Sequence, residues 1–225
     1  MTPARRYLAE FLGTALLLAV VVGSGIMGER LANGYAALAL LANSLATGGG
    51  LVALILVFGP VSGAHFNPAV SLALAGSRRH AWADVPGYLV AQTAGAILGV
   101  WAAHFMFGET ILQVSQKLRP GLGLRFSEVV ATFGLLLTIF GCIRHRPAAT
   151  PYAVAAYIVA AYWFTASTSF ANPAVTIARA LTNTFAGIRP QDVPGFILAQ
   201  LIGALLATVL DRWLYSSAAT PQSSA

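Results

Sequence analysis

Twelve residues in the first half of the chain, SGAHFNPAVSLA (Ser62–Ala73), recur in the second half as STSFANPAVTIA (Ser167–Ala178). Two further blocks match in the same order. Glu10 in YLAEFLGTALLL corresponds to Glu128 in RFSEVVATFGLLL, and DVPGYLVAQTAGAILG (Asp84–Gly99) corresponds to DVPGFILAQLIGALLA (Asp192–Ala207). A chain built as two copies of one unit must fold both copies by the same rules, so the surroundings of the matched blocks decide the fold. Those surroundings are apolar. Hydrophobic residues make up 57% of the 225 residues and charged residues only 9%, against roughly 25% charged in an ordinary soluble domain, which sets aside a soluble enzyme.

Cutting the chain at charge clusters and Pro/Gly punctuation predicts membrane spans at 7–27, 34–58, 82–106, 126–143, 151–168 and 191–214, each near the ~20 residues that cross a hydrocarbon core. Arg5 and Arg6 before the first span are also the start of a secretory signal, but no small-residue cleavage site follows, and the span is expected to be retained. Segments 66–77 and 171–185 are left over. Each begins with Asn-Pro and offers about ten helical residues, some 15 Å or half a bilayer, the reach of a re-entrant half-helix. Each copy then holds three spans and one half-helix. An odd number of crossings turns the second copy upside down, so the half-helices enter from opposite faces and meet near the midplane, where inverted repeats place their functional sites. The expected fold is an all-α membrane protein with six transmembrane helices and two re-entrant half-helices. It forms one domain over 1–225, with repeats at about 5–106 and 126–214 and a disordered tail at 216–225.

Asn is a strong helix N-cap and Pro suits the first helical position, where its missing N–H costs nothing. Asn67-Pro68-Ala69 and Asn172-Pro173-Ala174 should therefore each start a helix. The Asn carbonyl is expected to accept from the backbone N–H near the third helical position, Val70 or Val175, leaving the amide NH₂ free as a donor. Two such donors would converge at mid-membrane with the positive ends of two helix dipoles behind them, an arrangement that opposes a cation and passes a neutral hydrogen-bond acceptor.

On these residues, the SGAHF before the first motif and the Glu at each repeat start, the chain resembles the aquaporins and aquaglyceroporins over about residues 5–214. The resemblance implies a right-handed bundle assembled as a homotetramer with one pore per subunit. It implies a multi-pass protein of the inner or plasma membrane with both termini cytoplasmic, no cofactor, and small neutral solutes and the lipid bilayer as partners. Lys and Arg determine orientation weakly: Arg5, Arg6, Arg78, Arg79, Arg144, Arg146 and Arg212 fall inside and the other six outside. Glu10 and Glu128 are implied to orient the loops leading to the half-helices. His65, two residues before Asn67, reads as a packed, hydrogen-bonded support of the first loop, with a direct pore-lining role as the alternative.

The family's narrowest point carries an Arg three residues after the second Asn, and here that position is Val175. The other filter positions carry over to Thr47, Ser169 and a fifth-span residue that is Tyr162 when aligned from Pro151 and Ala160 when aligned from Asn172. Small side chains and a missing Arg imply a widened filter, hence a channel for water and glycerol-like polyols rather than a strict water channel. Some bacterial channels associated with arsenic resistance share the Val, which adds arsenite or methylated arsenicals to the implied solutes. Arg179, one helical turn beyond Val175, either replaces part of the missing charge in the vestibule, or else caps loop carbonyls or snorkels to the headgroups.

Other function classes fare worse. An ion-coupled transporter would need titratable groups at the midplane beyond two Glu already assigned to loops. An enzyme or metal site would need a cluster, yet the His residues at 65, 80, 104 and 145 are scattered and Cys142 is alone. The net charge of +6 lies in short clusters between apolar spans, which argues for topology anchors rather than nucleic-acid binding. Gly48–Gly50 reads as a close helix crossing. The connection 107–125 is long enough to shape a pore mouth.

Overall fold

The computed structural model describes residues 1–215; the tail from Ser216, expected to be disordered, lies outside the described residues. The described chain is helical, with no strand among the described residues. Its helices are α1 (Pro3–Leu31), α2 (Ala36–Ser62), α3 (Pro68–Gly76), α4 (Val85–Phe107), α5 (Leu122–His145), α6 (Thr150–Phe164), α7 (Pro173–Arg179) and α8 (Val193–Leu214). The duplication shows directly. Helix α1 packs on α2 and α4, as α5 packs on α6 and α8, and α2 meets α6 between the copies. Each half-helix reaches across as well, α3 against α8 and α7 against α4.

Five helices, α1, α2, α4, α5 and α8, are long and apolar enough to cross a membrane. The sixth span is shorter than predicted. Helix α6 has 15 residues and stops at Phe164 rather than 168, a rise of about 22 Å. At Thr165 the backbone turns extended (φ −107°, ψ 136°) because the following residues must lead down to Asn172. The half-helices are also shorter than 66–77 and 171–185. α3 has 9 residues and α7 has 7. Beyond α7 the chain becomes a folded loop tied to the α4–α5 connection by Ser115 N–H to Ala180 O (2.9 Å) and Arg189 N–H to Lys117 O (2.8 Å).

Among apolar helices in lipid, close approach rather than hydrophobicity drives association. Gly95 on α4 lies so near α1 that a Cβ would collide with Phe11 O, and its repeat mate Gly203 on α8 would meet Val129 O at 2.5 Å. Gly48 faces Val159 of α6 and Gly50 faces Val20 of α1, while Gly49 faces open space. Leu38, Leu41, Leu45, Leu198 and Leu205 stay exposed on the outer surface, as a lipid-facing belt requires.

Candidate pore

The two loops before the half-helices have the same backbone shape. Gly63, Ala64 and Phe66 adopt left-handed φ of 90°, 51° and 49°, and at the matching distances before Asn172 so do Thr168, Ser169 and Ala171, at 62°, 50° and 46°. For residues other than glycine this costs about 1–2 kcal/mol each. A buried carboxylate holds each loop in place. Glu10 accepts from His65 N–H (2.9 Å), Phe66 N–H (2.7 Å), Ser62 Oγ (2.6 Å) and Gln92 Nε2 (2.8 Å). Glu128 accepts from Phe170 N–H (2.8 Å), Ala171 N–H (2.8 Å) and Gln200 Nε2 (2.6 Å). Each Gln also donates to a hydroxyl on its half-helix, Gln92 to Ser71 and Gln200 to Thr176. The carboxylates thus grip loop N–H groups, and the carbonyls are aimed as a consequence.

The Asn caps differ in detail from expectation. Asn67 Oδ1 accepts from Ala69 N–H at 2.9 Å rather than from Val70, whereas Asn172 Oδ1 accepts from both Ala174 (3.0 Å) and Val175 (3.3 Å). The tighter two-residue turn follows from the extended backbone at each Asn, which brings the next-but-one N–H closest. Nor is either NH₂ wholly free. Asn67 Nδ2 donates to Ala171 O at 2.7 Å and Asn172 Nδ2 to Phe66 O at 2.8 Å, a crossed pair that fastens one loop to the other. Each amide keeps one N–H uncommitted.

A cavity of about 550 Å³ passes these two Asn residues. Most of its wall is aliphatic, from Leu17, Val21, Leu51, Leu135, Ile139 and Val154 among others. Its polar lining includes Thr47, Tyr162 and Ser169, with Val175 beside them. Between the two alternatives on the fifth span, the structure turns Tyr162 inward, its hydroxyl 3.2 Å from Thr47 Oγ1, and leaves Ala160 exposed. Ser169 Oγ is buried with no protein partner. His65 is hydrogen-bonded to Ser71 Oγ (3.0 Å), yet it also borders the cavity and a second one of about 430 Å³ beside Arg79 and Arg144. Of the other histidines, His104 is buried against Ile111 O and Thr182 Oγ1, and His145 stacks on Tyr215.

Arg179 does not snorkel. It is 3% exposed, donates from Nε to Ala186 O, sets its guanidinium carbon 3.4 Å from the centre of the Phe170 ring, and borders the cavity. The same side chain thus caps a loop carbonyl and borders the cavity. Sequence reasoning missed Arg119 in the α4–α5 connection. Its backbone N–H donates to Asp192 (2.8 Å), Nε to Gly187 O (2.8 Å) and Nη1 to Ser167 O (3.0 Å), and its guanidinium lies 4.7 Å from the same Phe170 ring. Burial lowers it to about 10, and it stays charged at neutral pH. Burial likewise lowers Lys117 in the same connection to about 8.

An inverted repeat whose two half-helices meet cap to cap beside an axial cavity is the architecture of a membrane channel rather than an enzyme. Residues 1–161 match the family model described as Major intrinsic protein, and the chain belongs to that family. It is 56% identical over 214 residues to Aquaglyceroporin AqpS of Rhizobium meliloti (strain 1021), covering 95% of this chain and 91% of that protein. It is 32% identical over 222 residues to glycerol uptake facilitator protein-like 6 of Lactiplantibacillus plantarum, covering 92% and 97%. In fold it is similar to the X-ray structure of the aquaglyceroporin from Plasmodium falciparum, with a TM-score of 0.71, 20% identity and 98% of each chain covered.

Proposed function

We propose that the chain conducts small uncharged solutes passively in both directions: water, glycerol-like polyols, and neutral hydroxylated metalloids such as arsenite or methylated arsenicals. The observation that carries this reading is Val175. It borders the cavity beside the second Asn, where the family places an Arg, and the groups that line the cavity with it are the small polar Thr47 and Ser169 and a single aromatic, Tyr162. An aliphatic side chain at that point removes both bulk and fixed donors, so a solute wider than water fits while the apolar wall accepts its carbon skeleton. Glu10, Glu128 and the crossed Asn67 and Asn172 amides form the frame that keeps the lumen open, with Pro68, Ala69, Pro173 and Ala174 starting the two half-helices. His65 stands where the long cavity meets the inner one.

In this reading the protein is a homotetramer of the inner membrane, its exposed Leu belt shared between lipid and neighbouring copies. Both termini are cytoplasmic, and Arg179 sits at the outer mouth. Stopped-flow light scattering on proteoliposomes tests it, comparing water, glycerol and arsenite for the native protein and Val175→Arg. Native flux of glycerol or arsenite well above empty liposomes, suppressed at least tenfold by the Arg while water is spared, supports the reading. High water flux with solute flux no faster than empty liposomes makes it a strict water channel, closed to solutes by the Tyr162–Thr47 pair.

A further inference from the structure

Three cations lie near one another beyond the second half-helix: Arg179, which borders the cavity, Arg119, which lies against the Phe170 ring of its wall, and Lys117, which sits on Phe185. None forms an ion pair among the described residues. Glu29 attracts Lys117 without forming an ion pair with it, whereas Asp192 is engaged with the Arg189 guanidinium (2.9 and 3.2 Å) and the Arg119 backbone N–H, and Glu128 with loop N–H groups. The Arg119 side chain donates only to carbonyls, those of Gly187 and Ser167.

The other repeat shows that no charge is needed for that task. The carbonyl equivalent to Ser167 is that of Ser62, and it receives a neutral hydroxyl, Tyr88 Oη, at 2.6 Å. In the second copy Tyr88 becomes Phe196, whose ring packs on Phe170 with centroids 5.2 Å apart, and Arg119 reaches in from outside the repeat to supply the missing donor. A buried guanidinium without a carboxylate is costly where a hydroxyl would serve. Its charge therefore has a use of its own, and the pore beside it has lost the filter Arg at Val175.

We propose that Arg119 and Arg179, both stacked on Phe170, are the cation barrier of this pore, with Arg119 acting from behind the wall as the residue that positions Phe170 and sets the field. The inference rests on the channel reading above. Two guanidinia in a low-dielectric mouth raise the potential along the lumen and repel hydronium and ammonium-type ions, while a neutral solute feels only the hydrogen-bonding surface. The barrier thus lies beyond the usual filter position, off the wall that sets pore width, and a wide pore can keep ions out.

The full-length protein in liposomes tests this with two probes, glycerol and methylammonium. The proteins compared are native, Arg119→Gln, Arg119→Lys, and Arg119→Gln combined with Phe196→Tyr, which returns a neutral donor to Ser167. The methylammonium-to-glycerol flux ratio is expected to rise about tenfold in Arg119→Gln and in the double variant, and to stay within twofold of native in Arg119→Lys. An unchanged ratio in the double variant, or a rise in Arg119→Lys as well, overturns the barrier and makes Arg119 a brace for the loop. So does loss of glycerol flux without a rise in the ratio. Native glycerol flux equal to that of protein-free liposomes defeats the channel reading and the barrier with it, whereas native flux with an unaltered variant ratio defeats the barrier alone.

Discussion

The two half-helices are mounted by the same device and differ at their far ends. In both copies a buried Glu grips the loop, a Gln bridges that Glu to a hydroxyl on the half-helix, and the capping Asn reaches over to the other loop's carbonyl. Beyond this frame the copies diverge. The first ends in aromatic packing, with His65, His80 and Tyr88 ring centroids 4.5 to 5.0 Å apart, and the arginines beside it, Arg79 and Arg144, are paired with Asp211. The second ends in two arginines on a phenylalanine. The comparison separates a frame that obeys the pseudo-twofold symmetry from the residues that break it, and on the barrier proposed above discrimination comes from the latter.

The largest expected effect tests the symmetric part. Replacing Glu10 or Glu128 by Ala orphans two loop N–H groups and one Gln amide, at about 1–3 kcal/mol for each buried group left unsatisfied. It also releases residues held at left-handed φ. Each variant is expected to lose at least about 3 kcal/mol of stability and to reduce solute flux to background. Glu10→Ala should be the worse because it also strands the Ser62 hydroxyl. Thermal unfolding in detergent and liposome flux measure both. Tolerance of either substitution breaks the equivalence of the two mounts.

The next effect sharpens the comparison at the helix crossings. Gly99 and Ala207 are repeat mates, yet a Cβ at Gly99 would run into Ala15 O, whereas Ala207 already carries one and is fully buried. Helix α4 therefore approaches α1 more closely at this level than α8 approaches α5. Gly99→Ala should cost about 2 kcal/mol through overpacking against rigid backbone, and Ala207→Gly less than about 1 kcal/mol through helix propensity. Equal costs in unfolding midpoints would show that the two crossings are alike.

Much of the frame was legible from the sequence because it is encoded locally and twice. Asn-Pro starts a helix by capping chemistry alone, and a Glu inside an apolar run needs partners wherever it sits. Loop conformation was harder to read. The length of α6 and the left-handed run before Asn172 depend on tertiary hydrogen bonds that leave no period in the sequence, so 151–168 overshot the helix end at Phe164. Arg119 escaped notice because its partners, Ser167 and Gly187, lie 48 and 68 residues away. One signal existed: the duplicated block has Tyr88 in one copy and Phe196 in the other, and a lost hydroxyl in an otherwise matched frame announces a donor from elsewhere.

A smaller effect follows from Lys117, which has no ion pair among the described residues, whereas Arg79 and Arg144 at the opposite mouth share Asp211. Its pKa is lowered to about 8 by burial, with Arg119 and Arg179 adding repulsion. The folded protein thus releases this proton before the unfolded chain does, and the strain of holding the charge is present below about pH 8 and relieved as pH rises from there toward the ordinary lysine value of 10.5. Positive potential around Lys117 falls over the same interval. Flux of a cation that does not titrate, such as sodium, should rise modestly, by less than about threefold between pH 7 and 9, and Lys117→Arg should flatten the rise. A rise of equal size in the Arg variant assigns it to another group.

The smallest effect concerns the first residue of each left-handed run. At that position the first copy has Gly63, for which φ of 90° is free of strain, and the second has Thr168 at 62°, a conformation costly for a β-branched side chain. No hydrogen bond from the Thr168 hydroxyl offsets the strain among the described residues, since its backbone N–H to Thr165 O is the one bond it donates. Thr168→Gly should relieve about 1–2 kcal/mol of left-handed strain and lose about 0.5–1 kcal/mol to the greater freedom of glycine in the unfolded chain. The net is a small stabilisation, visible as a raised unfolding temperature with solute flux retained. The reciprocal Gly63→Ala should destabilise by about 1–2 kcal/mol, with His65 crowded as well because a Cβ at Gly63 would lie 3.1 Å from its Nε2. If Thr168→Gly instead destabilises, the second loop needs that side chain, and the two mounts differ in their frame as well as in their mouths.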